Sequence, residues 1–507
     1  MSQNNSHRPI PSATSGAVDP RFEAMWPTDY LEPFMMRADP LADRIMDLLY
    51  AEGRADAAKA AAQGQTDPPP ATYRPRRVLQ FLTYLINQMA IPDPELEHPF
   101  PGSDYTLSPE VREALRTYLR EGQKLPPWAD MDLITEAQQL FSDNPIVAYV
   151  LLAAISLPVL YTCGRGGIQV LALTQQLVDK VRRRVIETGT LIINAMQKDA
   201  FTKLPDEGTS DMKNPLPIGV EGILRVRMLH AATRTVIYEF WQDGVRDRAK
   251  DPSSVRKYQG VAADKMWSAD WGKPIHQQYM AGTLMTFSYI TIYGLAQLGV
   301  DTNDRQKKAY MHYWNVFGYI TGIEEEMLLK LDFPLTQKAV YENGKPVHAA
   351  SGEEMYQAGK VLYTQMMELN RSRDAASIAA GRALTKGVID YCTDVLTRRL
   401  AIGKVFNMSY VPRILMTTML SDDDRELLGV KSTLFEKLTI PLWLAAFWIR
   451  GLFAKAAGKP ANLIANLLLK LMQQDIAEVY VELQKKGGVR YPGIPMEFQQ
   501  KWGLVKN

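Results

Sequence analysis

The chain has 507 residues, 46% of them apolar and 22% charged, and its 58 basic and 56 acidic residues give a net charge of +2. These are globular values, which exclude a disordered, collagenous or simple coiled-coil chain, and the charge balance excludes a chain-wide basic surface for nucleic acid. A mean hydropathy of −0.20 excludes a polytopic membrane protein.

The start of the chain is predicted to be irregular. Residues 1–20 are polar and are expected to form a disordered arm, without the apolar core of a secretory signal. Residues 21–75 are predicted to form short helical pieces broken by Pro33 and Pro40, and then, from residue 53, an Ala-rich and Pro-rich linker.

The remainder of the chain shows helical spacing of apolar residues and almost no strand alternation, which predicts an all-α fold. We expect one large helical domain over 76–432, followed by C-terminal amphipathic helices over 433–507 that pack on the core or on a membrane surface. The predicted helices span 76–90, 108–121, 130–142, 145–161, 167–200, 221–247, 278–299, 304–329, 352–369, 374–398, 409–419, 422–428, 433–457 and 459–486.

Two apolar stretches raise the question of membrane contact. Residues 144–164 carry no charge and are long enough to span a bilayer, but Pro145 and Pro158 interrupt them, which favours a buried and kinked helix. Residues 437–474 contain five bases, no acid and several large apolar side chains. This pattern is typical either of an interfacial membrane anchor or of a core helix with a basic edge.

Cysteine and histidine are scarce, and this narrows the chemistry. Two cysteines, Cys163 and Cys392, exclude a disulfide framework, a zinc site made of two C-x-x-C pairs and a covalent c-type haem. Six histidines leave few candidates for metal ligation or proton transfer. We expect a reducing, cytoplasmic environment.

The most informative histidine is His230, within the predicted helix 221–247. Arg227 and Arg234, at i−3 and i+4, lie on the same side of that helix. Two guanidinium groups favour the neutral imidazole, which is the metal-binding form, and they require anionic partners of their own. An iron porphyrin would satisfy both needs through its iron and its propionates. A structural histidine, with the arginines paired to scattered glutamates on neighbouring helices, is the alternative.

A second polar cluster lies on the predicted helix 167–200. Arg184, Glu187 and Thr188 stand at i, i+3 and i+4 and share one face. They are candidates to line a polar pocket over a cofactor, and the alternative is an intrahelical contact on a solvated face.

Six segments in order resemble the latex-clearing proteins, which are b-type haem rubber oxygenases, and their relatives, which include fungal oxygenases that cleave prenyl side chains. The segments are AAISLPVLYTCGRGGIQVLALT (153–174), RVIETGTLIINAM (184–196), GILRVRMLHAATRTVI (222–237), PIHQQYMAGTLMTFSYITIYGLAQLGV (274–300), AYMHYWNVFGYITGI (309–323) and VPRILMTTMLSDDDRELLGV (411–430).

This resemblance implies an all-α fold with a globin-like core, one non-covalent haem b and dioxygen chemistry at its iron. The family's proximal iron ligand maps onto His230, and its distal arginine and threonine map onto Arg184 and Thr188. In the rubber-cleaving members a lysine precedes that threonine and occupies the distal iron position in the closed form. Here the residue is Glu187, which would act as a base or pair with Arg184.

Other kinds of site fit the sequence less well. A di-iron carboxylate site needs two Glu-x-x-His pairs, whereas Glu95 and His98 form the single pair present. Cys163 lacks the arginine-bearing context of a thiolate haem, and CGRGG (163–167) lacks the end of a phosphate loop, so its glycines are expected to permit close helix approach. We interpret His276 and His312 as structural residues.

The sequence therefore predicts a haem b-dependent oxygenase whose partners are dioxygen and an apolar, unsaturated isoprenoid or lipid, with a membrane surface as a further partner and no nucleic acid. Rubber is not expected as the substrate, because it is attacked outside the cell. One alternative is a non-catalytic haem- or lipid-binding peripheral membrane protein of the same fold. The other is a peripheral interaction protein without cofactor.

Overall fold

The computed structural model describes residues 20–65, 106–173, 181–202, 216–250, 271–329, 350–399 and 410–431, with short pieces at 73, 76–78, 80–81, 267, 341–342, 345–346, 433 and 438. Across these residues the fold is all-α, as predicted. Its strands form one antiparallel pair of two residues each, β1 (Tyr341–Glu342) and β2 (Lys345–Pro346).

The N-terminal region contains more helix than the sequence predicts. Helices α1 (Pro20–Glu23) and α2 (Thr28–Leu31) are short, and a 3₁₀ turn over Glu32–Met36 leads into α3 (Pro40–Ala62). Pro40 begins α3 instead of breaking it, because a first-turn proline has no hydrogen bond to lose. The linker predicted from residue 53 is wrong up to Ala62, because alanine is the strongest helix former and extends the helix.

The middle of the chain forms α4 (Pro109–Gly122), α5 (Met131–Asp143), α6 (Pro145–Leu151), α7 (Leu157–Leu160), α8 (Gln169–Leu173), α9 (Val181–Ala195) and α10 (Ile218–Lys250). A π-helical turn over Leu152–Ser156 separates α6 from α7. Pro158 lies in α7, which ends two residues later, so the predicted helix over 145–161 is distorted and stopped as expected.

The later helices are α11 (Gln277–Phe287), α12 (Tyr289–Gln297), α13 (Asp304–Thr321), α14 (Gly352–Asn370), α15 (Ala375–Arg399), α16 (Tyr410–Met419) and α17 (Asp422–Leu428). The helix predicted over 278–299 is divided at Ser288, whose ψ of −77° departs from helical geometry and separates α11 from α12. Helix α13 is central, because it packs against α5, α10, α11 and α14.

The N-terminal helices belong to the same core as the rest of the described chain. Phe22, Leu31, Ile45 and Leu49 are buried in the hydrophobic cluster that also contains Trp314 of α13. Helix α3 packs against both α4 and α10. The residues placed before position 76 therefore help to build the core that surrounds α10.

The uncharged stretch 144–164 is buried in this helical core. Leu151 and Ile155 are almost fully inaccessible, and Leu151 contacts Gly294 of α12. Among the described residues, none of the helices combines the length and the apolar character needed to cross a membrane. Residues 1–19 of the predicted arm 1–20 lie outside the described residues, and so does the basic stretch 437–474 apart from Leu438.

Candidate functional site

The two helices that carry the predicted site residues pack directly against each other. Helices α9 and α10 are in contact, and the backbone N–H of Gly219 donates to the carbonyl oxygen of Ala200 at 2.9 Å. A Cβ at Gly222 would lie 3.0 Å from Cδ1 of Leu191. The last turns of α9 and the residues that follow it therefore meet the start of α10.

The contact lies one to two helical turns from the predicted site residues. Thr188 is three residues before Leu191 on α9, and His230 is eight residues after Gly222 on α10. The proximity of Arg184 and Thr188 to His230 therefore stays a prediction.

His230 occupies the boundary between core and surface. Its side chain is partly buried, and its Nδ1 atom is shielded from solvent. Ile223, Val226, Thr233 and Ile237 lie at helical spacing from His230 and form one stripe of α10 with it. Ile223 and Ile237 are buried, whereas Val226 and Thr233 are partly buried. This stripe therefore follows the edge of the buried face of α10.

The structure places the predicted distal residues in the middle of α9. The Thr188 side chain is partly buried, while the side chains of Arg184 and Glu187 lie outside the described part of the structure. The contacts of Arg184 and Glu187 with the site therefore stay predictions.

Arg227 is buried in an ion pair with the first turn of α3. Its Nε and Nη2 atoms donate to the two carboxylate oxygens of Asp39 at 2.5 and 2.9 Å, and Nη1 donates to the carbonyl oxygen of Ile320 at 3.1 Å. The guanidinium carbon lies 5.6 Å from the centre of the Tyr118 ring. Burial alone would lower the pKa of Arg227, but hydrogen bonding and charge from Asp39 raise it above its usual value.

Arg234 repeats this arrangement two turns later. Its Nε and Nη2 atoms both donate to Oδ1 of Asp43, at 2.9 and 2.7 Å, and Nη1 donates to the carbonyl oxygen of Ile275 at 3.1 Å. The residue is only 4% exposed. Burial raises the pKa of the Asp43 carboxyl, and Arg234 opposes that rise.

Arg227 and Arg234, which the sequence predicts as propionate anchors, are both paired within the protein. Every side-chain nitrogen of the two arginines donates to Asp39, Asp43 or a backbone carbonyl, so the arginines join α10 to α3. The alternative stated above was pairing with glutamates on neighbouring helices, and the partners here are aspartates. The sequence could not identify which acids, because Asp39 is 188 residues away from Arg227.

His276 and His312 have structural contacts, in agreement with their interpretation. Nδ1 of His276 accepts from the backbone N–H of Tyr279 at 3.2 Å and so caps α11, while Nε2 of His312 accepts from that of Asp130 at 2.9 Å. Burial, together with the nearby charge of Arg234, lowers the pKa of His276 to about 3. Burial lowers the pKa of His312 to about 4.

The CGRGG segment serves helix packing. A Cβ at Gly167 would overlap the ring of Tyr279, and one at Gly164 would overlap Ser372. Cys163 is buried, its Sγ lies 3.6 Å from Sδ of Met367, and burial raises its thiol pKa to about 12. Glycine is therefore needed for close approach of protein to protein, and Cys163 is kept as a neutral thiol.

Clusters of three or more histidine, cysteine, aspartate or glutamate side chains suited to a metal ion are absent from the portion of the chain that the structure describes. An iron porphyrin, by contrast, takes its four equatorial nitrogens from the porphyrin and needs a single axial imidazole from the protein. His230 supplies a residue of that type.

Comparison with known proteins gives one distant structural likeness. No protein-family model matches the chain, and no curated protein matches it by sequence. A solved structure of latex clearing protein in the closed state is similar over 86% of each chain, with 17% identity and a TM-score of 0.48. A likeness this distant carries no argument about activity.

Proposed function

We propose that this protein is a haem b-dependent oxygenase that acts on an apolar, unsaturated isoprenoid or lipid. The observation that supports the proposal is the direct packing of α9 against α10. Arg184 and Thr188 lie on α9 and His230 lies on α10, and we expect them to face one site. Both helices belong to segments in which the sequence resembles haem oxygenases.

The residues present fit one part of a haem site. His230 would be a suitable iron ligand, because its side chain is partly buried and its Nδ1 atom is shielded from solvent. The arginines do not fit as propionate anchors, since Asp39 and Asp43 already neutralise them. Bound haem would supply the iron at which dioxygen is activated.

The residues of α9 would then act on the reacting oxygen atoms. The Thr188 hydroxyl would donate a hydrogen bond, and the Arg184 guanidinium would stabilise developing negative charge. Glu187 would accept a proton or pair with Arg184. It would place a carboxylate where the rubber-cleaving proteins that the sequence resembles carry a lysine.

The surroundings of these groups favour an apolar substrate. Val185 and Ile192 of α9 and Ile223 of α10 are aliphatic and are each at most 3% exposed. Side chains of this kind beside the site would exclude water and bind hydrocarbon through the hydrophobic effect. A polyprenoid lipid meets this requirement and offers carbon–carbon double bonds for cleavage.

The test begins with the visible absorption spectrum of the protein purified from haem-replete cells. We expect a Soret band that His230→Ala abolishes and that Thr233→Ala, a control on the same stripe, retains. A colourless protein that also fails to take up added hemin would overturn the proposal. Incubation with a polyprenoid and oxygen then tests catalysis, and haem without an aldehyde or ketone product would favour the carrier alternative.

A further inference from the structure

We infer that Asp39 and Asp43 are positioning residues for His230, acting through ion pairs with Arg227 and Arg234 that leave neither arginine open to an anionic ligand. This inference rests on the proposed function for the role of His230. The ion pairs themselves are a property of the protein without any cofactor.

The first argument is the placement of the two pairs. Asp39 and Asp43 are four residues apart at the start of α3, and Arg227 and Arg234 are seven apart on α10. The two aspartates span one helical turn, and the two arginines that they contact span two turns of α10. His230 lies between the two arginines along α10, so any shift of α10 against α3 moves its imidazole.

The second argument is charge and burial. Arg227 and Asp39 are 8% and 2% exposed, and the Arg234 and Asp43 side chains are 4% and 18% exposed. The two cations and two anions balance. A propionate that replaced either aspartate would leave a carboxylate buried without its partner, at a large desolvation cost.

The third argument is that the pair nearest the core has little room to move. Gly322 ends α13 in the left-handed region, with a φ of +89°, and a Cβ there would lie 2.7 Å from Nε of Arg227 and 2.9 Å from Oδ2 of Asp39. The Gln277 side chain donates to the carbonyl oxygens of Ala38 and Gly322, at 2.6 and 2.9 Å. Helices α3, α11 and α13 therefore meet around the Arg227–Asp39 pair and hold it in place.

The first experiment is a double-mutant cycle on the haem-free protein with Asp43→Asn, Arg234→Met and the combination, read by urea unfolding. Each single change leaves one buried charge unpaired, so we expect both to lower the urea midpoint. The double variant should be more stable than the sum of the single losses implies. Strictly additive losses would overturn the ion-pair assignment, whether or not the protein binds haem.

The second experiment tests access of anions to Arg234. Hemin and hemin dimethyl ester, which lacks propionate charges, are titrated into wild-type protein and the Arg234→Met variant. For each protein, the affinity for hemin is divided by the affinity for the dimethyl ester. We expect this ratio to differ by no more than about twofold between wild type and Arg234→Met. A tenfold or greater preference for hemin that disappears in the variant would show that Arg234 anchors a propionate, and the inference would be wrong.

The third experiment tests positioning through the spectrum of the haem-loaded protein. We expect Asp43→Asn to shift the iron–histidine vibration and the Soret maximum, and Asp43→Glu to restore them in part. Glu221→Gln is the matched control, because Glu221 pairs with Arg225 on the partly exposed side of α10. A spectrum of Asp43→Asn identical to that of wild type would remove the positioning role, while a protein that binds neither porphyrin would instead fail the proposed function.

Discussion

Nε2 of His312 accepts a hydrogen bond from the backbone N–H of Asp130 at 2.9 Å, so this nitrogen carries no proton in the neutral imidazole. Asp130 is the N-cap residue of α5, and the contact therefore joins the start of α5 to the middle of α13. His276 has the same constraint, since its Nδ1 accepts from the backbone of Tyr279.

Because the pKa values of these two histidines are lowered in the folded protein, we expect the free energy of unfolding to fall in mild acid. Their folded pKa values, about 4 and about 3, lie below the unfolded value of about 6.5, so the unfolded chain binds more protons between those limits. Their contribution is complete above pH 6.5 and is lost as the pH falls toward 4. Each histidine should contribute a slope of about 1.4 kcal/mol per pH unit in the unfolding free energy.

The measurement is urea unfolding at several pH values between 7 and 4.5, for wild type and His312→Gln. Glutamine offers an oxygen acceptor that does not titrate, so the variant should lose about 1.4 kcal/mol per pH unit of the wild-type slope. Equal slopes for the two proteins would contradict the assignment of His312 as a buried neutral imidazole.

Gly322→Ala should destabilise the protein by more than backbone strain alone. Both Gly322 and Gly64 have positive φ, at +89° and +69°, and alanine there costs about 1–2 kcal/mol. A Cβ at Gly64 meets nothing within 4 Å, whereas one at Gly322 meets Arg227 and Asp39. Thermal unfolding should therefore show that Gly322→Ala lowers the free energy of unfolding by a further ~1–3 kcal/mol compared with Gly64→Ala. Equal losses in the two variants would count against the close contact of Gly322 with the Arg227–Asp39 pair.

Gly167→Ala should lower stability by about 1–3 kcal/mol, because the new methyl group would overlap the ring of Tyr279. In a protein that already carries Tyr279→Ala, Gly167→Ala should lower stability much less, because the ring that the new methyl group would overlap is absent. Chemical unfolding of the four proteins in this cycle measures the coupling. No coupling between the two positions would mean that α11 does not approach Gly167 closely.

Thr188→Val should leave haem binding intact and slow oxygenation by roughly 100-fold, as expected for the loss of one hydrogen-bond donor to developing charge. Thr188→Ser keeps the hydroxyl and should retain most of the rate. Single-turnover kinetics under limiting oxygen, with haem content matched by absorbance, compare the three proteins. A valine variant as fast as wild type would remove Thr188 from the proposed chemistry.

The sequence predicts elements best where local signals mark both ends. Helix α17 lies where predicted, over 422–428, because Ser421 caps its start and Gly429 ends it with a φ of +68°. The break at Ser288 has no such signal, and the apolar spacing runs across it. The alanine-rich end of α3 shows the opposite kind of error. Its composition predicts a linker, but it forms a helix up to Ala62.

The sequence predicts only the part of the candidate site that lies on a single helix. Spacing alone puts Arg227, His230 and Arg234 on one side of α10, and that grouping agrees with the structure. The aspartates that receive both arginines lie on α3, far away in sequence, and no local pattern links them. Burial decides their pairing, because two cations inside a core require anions that are also inside it.

The long separation of Asp39 from Arg227 has a consequence for biosynthesis. Asp39 leaves the ribosome 188 residues before Arg227, and Asp43 leaves it 191 residues before Arg234. At roughly 5–20 residues per second, that interval lasts on the order of 10–40 s. Throughout that time α3 carries two acidic groups destined for the interior, so the nascent N-terminus must stay hydrated or chaperoned until α10 emerges.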